Sequence, residues 1–313
     1  MGMKVAFIGG GYMGREHIKA YKDIAGVTLA GIYNRTTEKA QQLAQEYGIE
    51  TVAQSVDDLY ANTKADLVVI SVYETAMLDI AMAAMKHPWA LFLEKPPGYT
   101  VAIAQQIADA AAKHSKPVMV GLNRRYLSST QTVMASLAKL EGPRTMTVFD
   151  QQGFAIARQH NHAPEVVANW MYSNSIHLLD YVTLMGRGNI TDVQVLDAWN
   201  PETSKVLRAL IRFDSGDSAL YQAIWDGPGP WSIAVATPAM RWEMRPLEKA
   251  TFQNRGEHKL NETPMHEWDT QYKPGLRLQA ERALARVRGE ESDIPDMREA
   301  MKTMHLIARI YGG

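Results

Sequence analysis

Apolar positions over the first 122 residues follow two alternating periods. Short runs at Val5–Ile8, Val27–Tyr33, Leu67–Val72, Ala90–Leu93 and Val118–Leu122 have the length of buried strands, and the stretches between them have helical character. In the first such stretch Met13, His17, Tyr21 and Ile24 recur at spacings of four, four and three, which places them on one helix face. The second helical stretch opens at Thr36 or Thr37, either able to cap it, and stops at Gly48. Strands that alternate with helices pair in parallel, because each return crossover then has room for a helix. Residues 1–122 therefore read as a doubly wound α/β domain.

Beyond residue 122 the pattern changes. A helical segment at Ser128–Leu140 leads into a strand candidate at Thr145–Asp150. Three strand-like runs follow at Asp192–Trp199, Lys205–Phe213 and Ser218–Trp225. Asp214-Ser215-Gly216-Asp217 between the last two is a hairpin signal. Ile233–Thr237 and Arg241–Arg245 extend the series. Strands this close together, without intervening helices, predict an antiparallel sheet. Helical segments at Leu276–Arg288 and Met297–Tyr311 end the chain. Residues 123–313 read as a second domain, with packing of the last helix back onto the first domain left open.

Gly9-Gly10-Gly11-Tyr12-Met13-Gly14 contains Gly-x-Gly-x-x-Gly directly after a strand and at the opening of a helix. Gly9 would permit the tight turn, Gly11 the close approach of a pyrophosphate, and Gly14 the packing of helix on strand. The helix N-terminus, with Tyr12 and Met13 in its first turn, offers free N–H groups to an anion. A bare glycine turn would also fit the residues; the strand–turn–helix context favours a dinucleotide. The end of the second strand, where cofactor choice is usually set, holds Asn34-Arg35-Thr36 and no acid. Asparagine does not repel a 2′-phosphate and Arg35 can pair with one, so NADP is favoured over NAD. Arg35 stacked on adenine would suit either cofactor.

Glu94-Lys95-Pro96-Pro97 closes the fourth of the apolar runs. A lysine at the carboxyl end of such a strand is placed where a dehydrogenase keeps a proton-handling group, and the prolines would stiffen the turn, with or without a cis bond before Pro96. The 313 residues carry a formal net charge of −1, which gives no global reason to bind nucleic acid or anionic membrane. Cysteine is absent, which removes disulfides, thiolate nucleophiles and cysteine metal sites. No apolar stretch has the length of a membrane span, and a first strand starting at Lys4 leaves no room for a targeting segment, so the expectation is a soluble cytoplasmic protein.

These motifs, with Asn123-Arg124-Arg125-Tyr126 and Ser175-Ile176-His177-Leu178-Leu179-Asp180, resemble the Gfo/Idh/MocA oxidoreductase family over nearly the whole chain. The resemblance implies a Rossmann domain followed by an α/β domain with a large, mostly antiparallel open sheet. It implies NAD(P)-dependent oxidation or reduction of sugars, polyols and related small molecules, and a homodimer or homotetramer built through that sheet. By the same resemblance Lys95 contacts the reacting hydroxyl and assists proton transfer, and His177 acts as acid/base partner or hydrogen-bonds the substrate. The family pattern around the histidine is Asp-x-Gly-x-His-x-x-Asp; here Ser173 replaces the first aspartate, with Asn174 beside it and Asp180 retained. On a regular helix Ser173, His177 and Asp180 share a face, with Asp180 better read as structural. The loop at the end of the run Leu67–Val72 reads Val72-Tyr73-Glu74-Thr75 instead of the family's Thr-Pro-Asn-like turn, so Val72 and Tyr73 join Glu94 and Lys95 as candidate cofactor contacts.

Arg158-Gln159-His160-Asn161-His162 suits a hydroxylated or anionic ligand, through Arg158, as well as it suits a surface loop. No metal site is expected without cysteine or a dense acidic cluster. Arg124 and Arg125 can line a substrate site or form packing ion pairs. Met77, Met82 and Met85 read as core filler. The expected function is hydride transfer between nicotinamide and a hydroxyl-bearing or carbonyl carbon. Two alternatives are a cofactor-binding regulatory protein without turnover and a lyase or glycosidase using the cofactor transiently.

Overall fold

Six short strands, β1 (Met3–Ile8), β2 (Val27–Tyr33), β3 (Thr51–Ala53), β4 (Leu67–Ile70), β5 (Ala90–Glu94) and β6 (Val118–Gly121), form one parallel sheet in the computed structural model, which describes residues 2–312. Their order is β3-β2-β1-β4-β5-β6, with every neighbouring pair parallel. Helices α1 (Tyr12–Lys22), α2 (Thr37–Tyr47), α3 (Val56–Thr63), α4 (Met77–Ala84) and α5 (Val101–Ala111) make the crossovers. Strands covered on both faces can be apolar throughout, and β4 (Leu-Val-Val-Ile) is wholly buried. The order reverses between β1 and β4, the place where open α/β sheets bind ligands beyond their strand ends.

Local signals account for the helix ends. Ser55 and Thr100 accept hydrogen bonds from Asp58 and Ile103 N–H at 3.0 and 3.3 Å, and Gly48 ends α2 in the left-handed region at φ 68°. Thr36 occupies the cap position of α2, but its side chain makes no capping bond. Along α1, His17 and Tyr21 are buried as the spacing predicts, whereas Ile24 lies past the helix end. Met77 is core; Met82 is exposed and is not.

The second sheet has eight strands: β7 (Thr145–Gln152), β8 (Ile190–Val195), β9 (Val206–Phe213), β10 (Ser218–Trp225), β11 (Ser232–Ala236), β12 (Met240–Met244), β13 (Ala250–Asn254) and β14 (Asn261–Glu262). They lie in the order β14-β13-β12-β11-β7-β10-β9-β8. All neighbours are antiparallel except β7 and β10, which run parallel because the long connection between them returns in the same direction. Gly216, at φ 85°, makes the β9–β10 hairpin where the sequence places it. Burial alternates along β7, β9 and β10, with Met146, Val148, Leu207, Ala209, Ala219 and Tyr221 turned inward. Helices α6 (Ser128–Leu137), α7 (Phe154–Gln159), α8 (Pro164–Ala168) and α9 (Ile176–Met185) belong with this sheet, and α9 contacts β7 and β11. The chain ends with α10 (Trp268–Gln271), α11 (Leu276–Val287) and α12 (Met297–Tyr311). Among the described residues no helix is long and apolar enough to cross a membrane.

Two compact units result. One holds the residues up to Asn123 with Thr270–Met301; the other holds Arg124–Asp269 with the residues from Lys302 onward. Segment 270–301, which its position in the chain grouped with the second half, thus packs in the first unit. There α11 lies against α1, Arg277 donates to the Asp23 carbonyl at 3.1 Å, and Pro295 O accepts from Val120 N–H beside β6.

Candidate functional site

In the first unit the glycine loop leaves β1 and enters α1. Gly9 has φ 104°, and a Cβ there would stand 2.1 Å from Ser71 O; a Cβ on Gly14 would stand 2.1 Å from Gly9 O. Both positions need glycine for backbone reasons. At Gly11 a Cβ would meet nothing within 4 Å, so that glycine keeps room in front of the helix. The N-terminus of α1 has no side-chain cap and no acid in its first turn. A dinucleotide pyrophosphate fits these features: open room, free N–H groups and the positive end of a helix dipole.

Asn34 is committed at both ends of its amide. Its Oδ1 accepts from Gly10 N–H and its Nδ2 donates to Thr36 O, each at 2.8 Å, so it ties the glycine loop to the end of β2. Arg35 and Thr36 are exposed, and no ion pair engages Arg35 among the described residues. Tyr12 is exposed with the Lys273 ammonium 5.3 Å from its ring centroid, and Tyr73 is exposed as well. Val72 is half-buried.

Lys95 follows the last residue of β5, is half-buried, and is joined to Pro96 by a cis peptide bond. Glu94 before it is buried, its Oε2 2.8 Å from Nε2 of the equally buried His17. His17 also meets Phe92 edge-on at 5.4 Å. This pair links the helix of the glycine loop to the strand end that presents Lys95.

In the second unit, Met171–Ser175 forms a π-helical turn that runs into α9. The turn is wider than a regular α-helical one, yet Ser173, His177 and Asp180 are all buried. Ser173 and His177 are both buried, and Asn174 is partly exposed. Asn174 Nδ2 donates to Gln152 Oε1 at 2.9 Å. The His177 ring lies 5.7 Å from that of Trp231, and the Arg124 guanidinium sits 5.6 Å over the same indole. Arg125 takes the structural option: its Nε and Nη2 donate to the two Asp180 carboxylate oxygens at 2.7 Å each, both side chains buried. Asp180 therefore holds α9 to the Asn123–Tyr126 turn. Arg158, in the last turn of α7, is exposed with its guanidinium 5.9 Å from the Phe154 ring; of the segment from Arg158 to His162 only Arg158 and Gln159 are helical, and His160, Asn161 and His162 form the turn and loop that follow.

A model of the oxidoreductase family with an NAD-binding Rossmann fold, Gfo/Idh/MocA, matches residues 3–122. Over that stretch the chain carries the NAD-binding Rossmann domain of the Gfo/Idh/MocA family. Among curated proteins, a 4-carboxy-2-hydroxymuconate-6-semialdehyde dehydrogenase from Sphingobium sp. is 23% identical over 182 residues, 57% of each protein. An inositol 2-dehydrogenase from Salmonella paratyphi B is 29% identical over 129 residues, 40% of this chain and 38% of that one. The chain thus matches little more than half the length of the first relative and less of the second. The solved structure of UDP-N-acetylglucosamine 3-dehydrogenase from Acidithiobacillus ferrooxidans shares the fold, with a TM-score of 0.80 at 18% identity over 100% of this chain and 97% of that one.

In each unit, groups beside the candidate residues escape the sequence motifs. His17 reads there only as part of an apolar face, because its partner is 77 residues away. Trp231 follows a Gly/Pro-rich loop without periodicity. Asp150 and Gln152 end β7 on the inward side after Met146 and Val148, and a switch from apolar to polar in an inward register was the available signal.

Proposed function

We propose that the chain is an NAD(P)-dependent oxidoreductase that moves a hydride between nicotinamide and a hydroxyl-bearing or carbonyl carbon of a sugar, polyol or sugar derivative. One observation carries this. An open glycine loop at the end of β1 and a half-buried lysine at the end of β5 stand at the carboxyl edge of the same parallel sheet. The named activities of the curated relatives, oxidation of inositol and of a carboxylated semialdehyde, support the same chemistry.

Bound cofactor would supply the hydride acceptor at the nicotinamide ring. Lys95 Nζ takes the hydroxyl proton as the substrate is oxidised and returns it in the reverse direction. For this the amine must enter the step neutral. His177 holds a substrate hydroxyl, with Trp231 and Arg124 bounding its surroundings. Gly9, Gly11, Gly14 and the first turn of α1 hold the pyrophosphate, and Glu94, fixed by His17, holds the strand end in place. NADP is favoured because exposed Arg35 has no competing carboxylate among the described residues and Asn34 brings no negative charge. The outward face of the second sheet, with Val206, Leu220 and Ile224, is assigned to a second copy of the chain.

Nicotinamide absorbance against a panel of sugars, inositols, polyols and sugar acids, with NAD and NADP in parallel, tests this directly. Reduction of cofactor by at least one member is expected, faster with NADP. Both cofactors binding with no turnover on any member would contradict it.

A further inference from the structure

Between Met171 and Asp180 only Asn174 escapes burial, and its amide is oriented from below by a buried chain of hydrogen bonds. Asp150 is fully buried on β7 and is held by two donors: the Tyr221 hydroxyl to Oδ2 at 2.6 Å and Gln152 Nε2 to Oδ1 at 2.6 Å. The Tyr221 hydroxyl also meets that of Tyr311 at 2.8 Å. A carboxylate can only accept, so Gln152 must turn its NH2 toward Asp150 and its Oε1 toward Asn174. Asn174 must in turn donate through Nδ2, which leaves Oδ1 as its free acceptor. Burial pushes the Asp150 carboxyl up, and the hydrogen bonds from Tyr221 and Gln152 oppose that.

We propose that Asp150, acting through Gln152, fixes the polarity of Asn174, so that Asn174 Oδ1 accepts a hydrogen bond from a ligand hydroxyl. This rests on the dehydrogenase function proposed above, and makes Asn174 a specificity determinant and Asp150 a positioning residue. The direction of the chain can be reversed by design. In D150N the new amide can donate to Gln152, which flips and donates to Asn174, so the fold stays satisfied while the outward acceptor becomes a donor. In N174D a carboxylate faces Gln152 Oε1, two acceptors in contact. In D150N/N174D the flipped Gln152 donates to the carboxylate, and an acceptor faces outward again.

The test combines thermal melts of the four proteins with KM for whichever polyol of the panel the wild type oxidises. N174D should melt on the order of 5 °C lower, with D150N and the double variant close to wild type. KM should rise about tenfold in D150N and recover in the double variant. KM for the cofactor should stay unchanged in all. An N174D protein as stable as wild type, a double variant as unstable as N174D, or a D150N protein with unaltered polyol KM would overturn the proposal. A wild type that oxidises no polyol would refute the dehydrogenase function separately, and the melts alone would then decide the polarity of the chain.

Discussion

Replacing Arg125 by methionine should destabilise the second unit far more than the loss of one surface ion pair would. Asp180 is held by two Arg125 bonds at 2.7 Å and by the Thr303 hydroxyl at 3.1 Å, with side-chain exposures of 5% for Arg125 and 3% for Asp180. An exposed pair is worth at most about 1 kcal/mol, whereas removing one partner of a buried pair leaves an uncompensated charge and costs about 3–5 kcal/mol. Thr303 keeps one bond to Asp180, which places Arg125→Met near the lower end. At about 2–4 °C per kcal/mol for a unit of this size, Tm should fall by on the order of 10 °C. In the double variant Arg125→Met/Asp180→Leu no charge is left buried, and most of the loss should return. Circular dichroism melts and urea titrations of wild type, both singles and the double measure this. A single variant within about 1 kcal/mol of wild type, or a double no better than the single, would refute the reasoning.

Glycine substitutions should separate folding from cofactor binding. Gly9→Ala forces a Cβ against Ser71 O at φ 104° and should lower both stability and cofactor affinity, whereas Gly11→Ala has room for its methyl and should fold as wild type while binding cofactor weakly; melts and fluorescence titration distinguish them. Acid stability should depend on Asp217. Burial pushes its carboxyl up, but hydrogen bonds from the Arg187 guanidinium and from the backbone N–H groups of Arg144 and Arg187 outweigh that and bring it down to about 2. The folded-state value lies below the unfolded one, so the stabilisation is complete above about pH 5 and is lost as pH falls toward 2. It amounts to about 2 kcal/mol after allowance for the half-exposed Arg187, and Asp217→Asn should flatten urea midpoints over that range. Arg35→Ala should weaken NADP binding by about 10- to 100-fold and leave NAD nearly unchanged, as read by cofactor titration; equal effects on both would assign Arg35 to adenine stacking.

What the sequence made legible was local. The run Ser218–Trp225 and the turn at Gly216 could be read because period-two burial and a left-handed glycine sit within a few residues of one another. The short β3 offered only three residues, Thr51–Ala53, and no apolar run to detect. The parallel pairing of β7 with β10 depends on where a long connection returns, which no short window contains. The candidate site divides in the same way. Gly9, Gly14 and Lys95 announce themselves through neighbours in sequence. The Glu94–His17 and Arg125–Asp180 pairs join residues far apart in the chain, and Asn34 proved to serve the glycine loop through its side-chain amide. The π turn at Met171–Ser175, which leaves Asn174 partly exposed between buried Ser173 and Ser175, has no signal in a short stretch of sequence.

The central claim is that Lys95 handles the proton in nicotinamide-linked hydride transfer. Single-turnover absorbance of the Lys95→Ala protein, with the panel substrate that wild type oxidises, tests it most directly. A fall in rate on the order of 10²- to 10⁴-fold with cofactor affinity retained is expected. A variant that turns over at the wild-type rate would contradict the account.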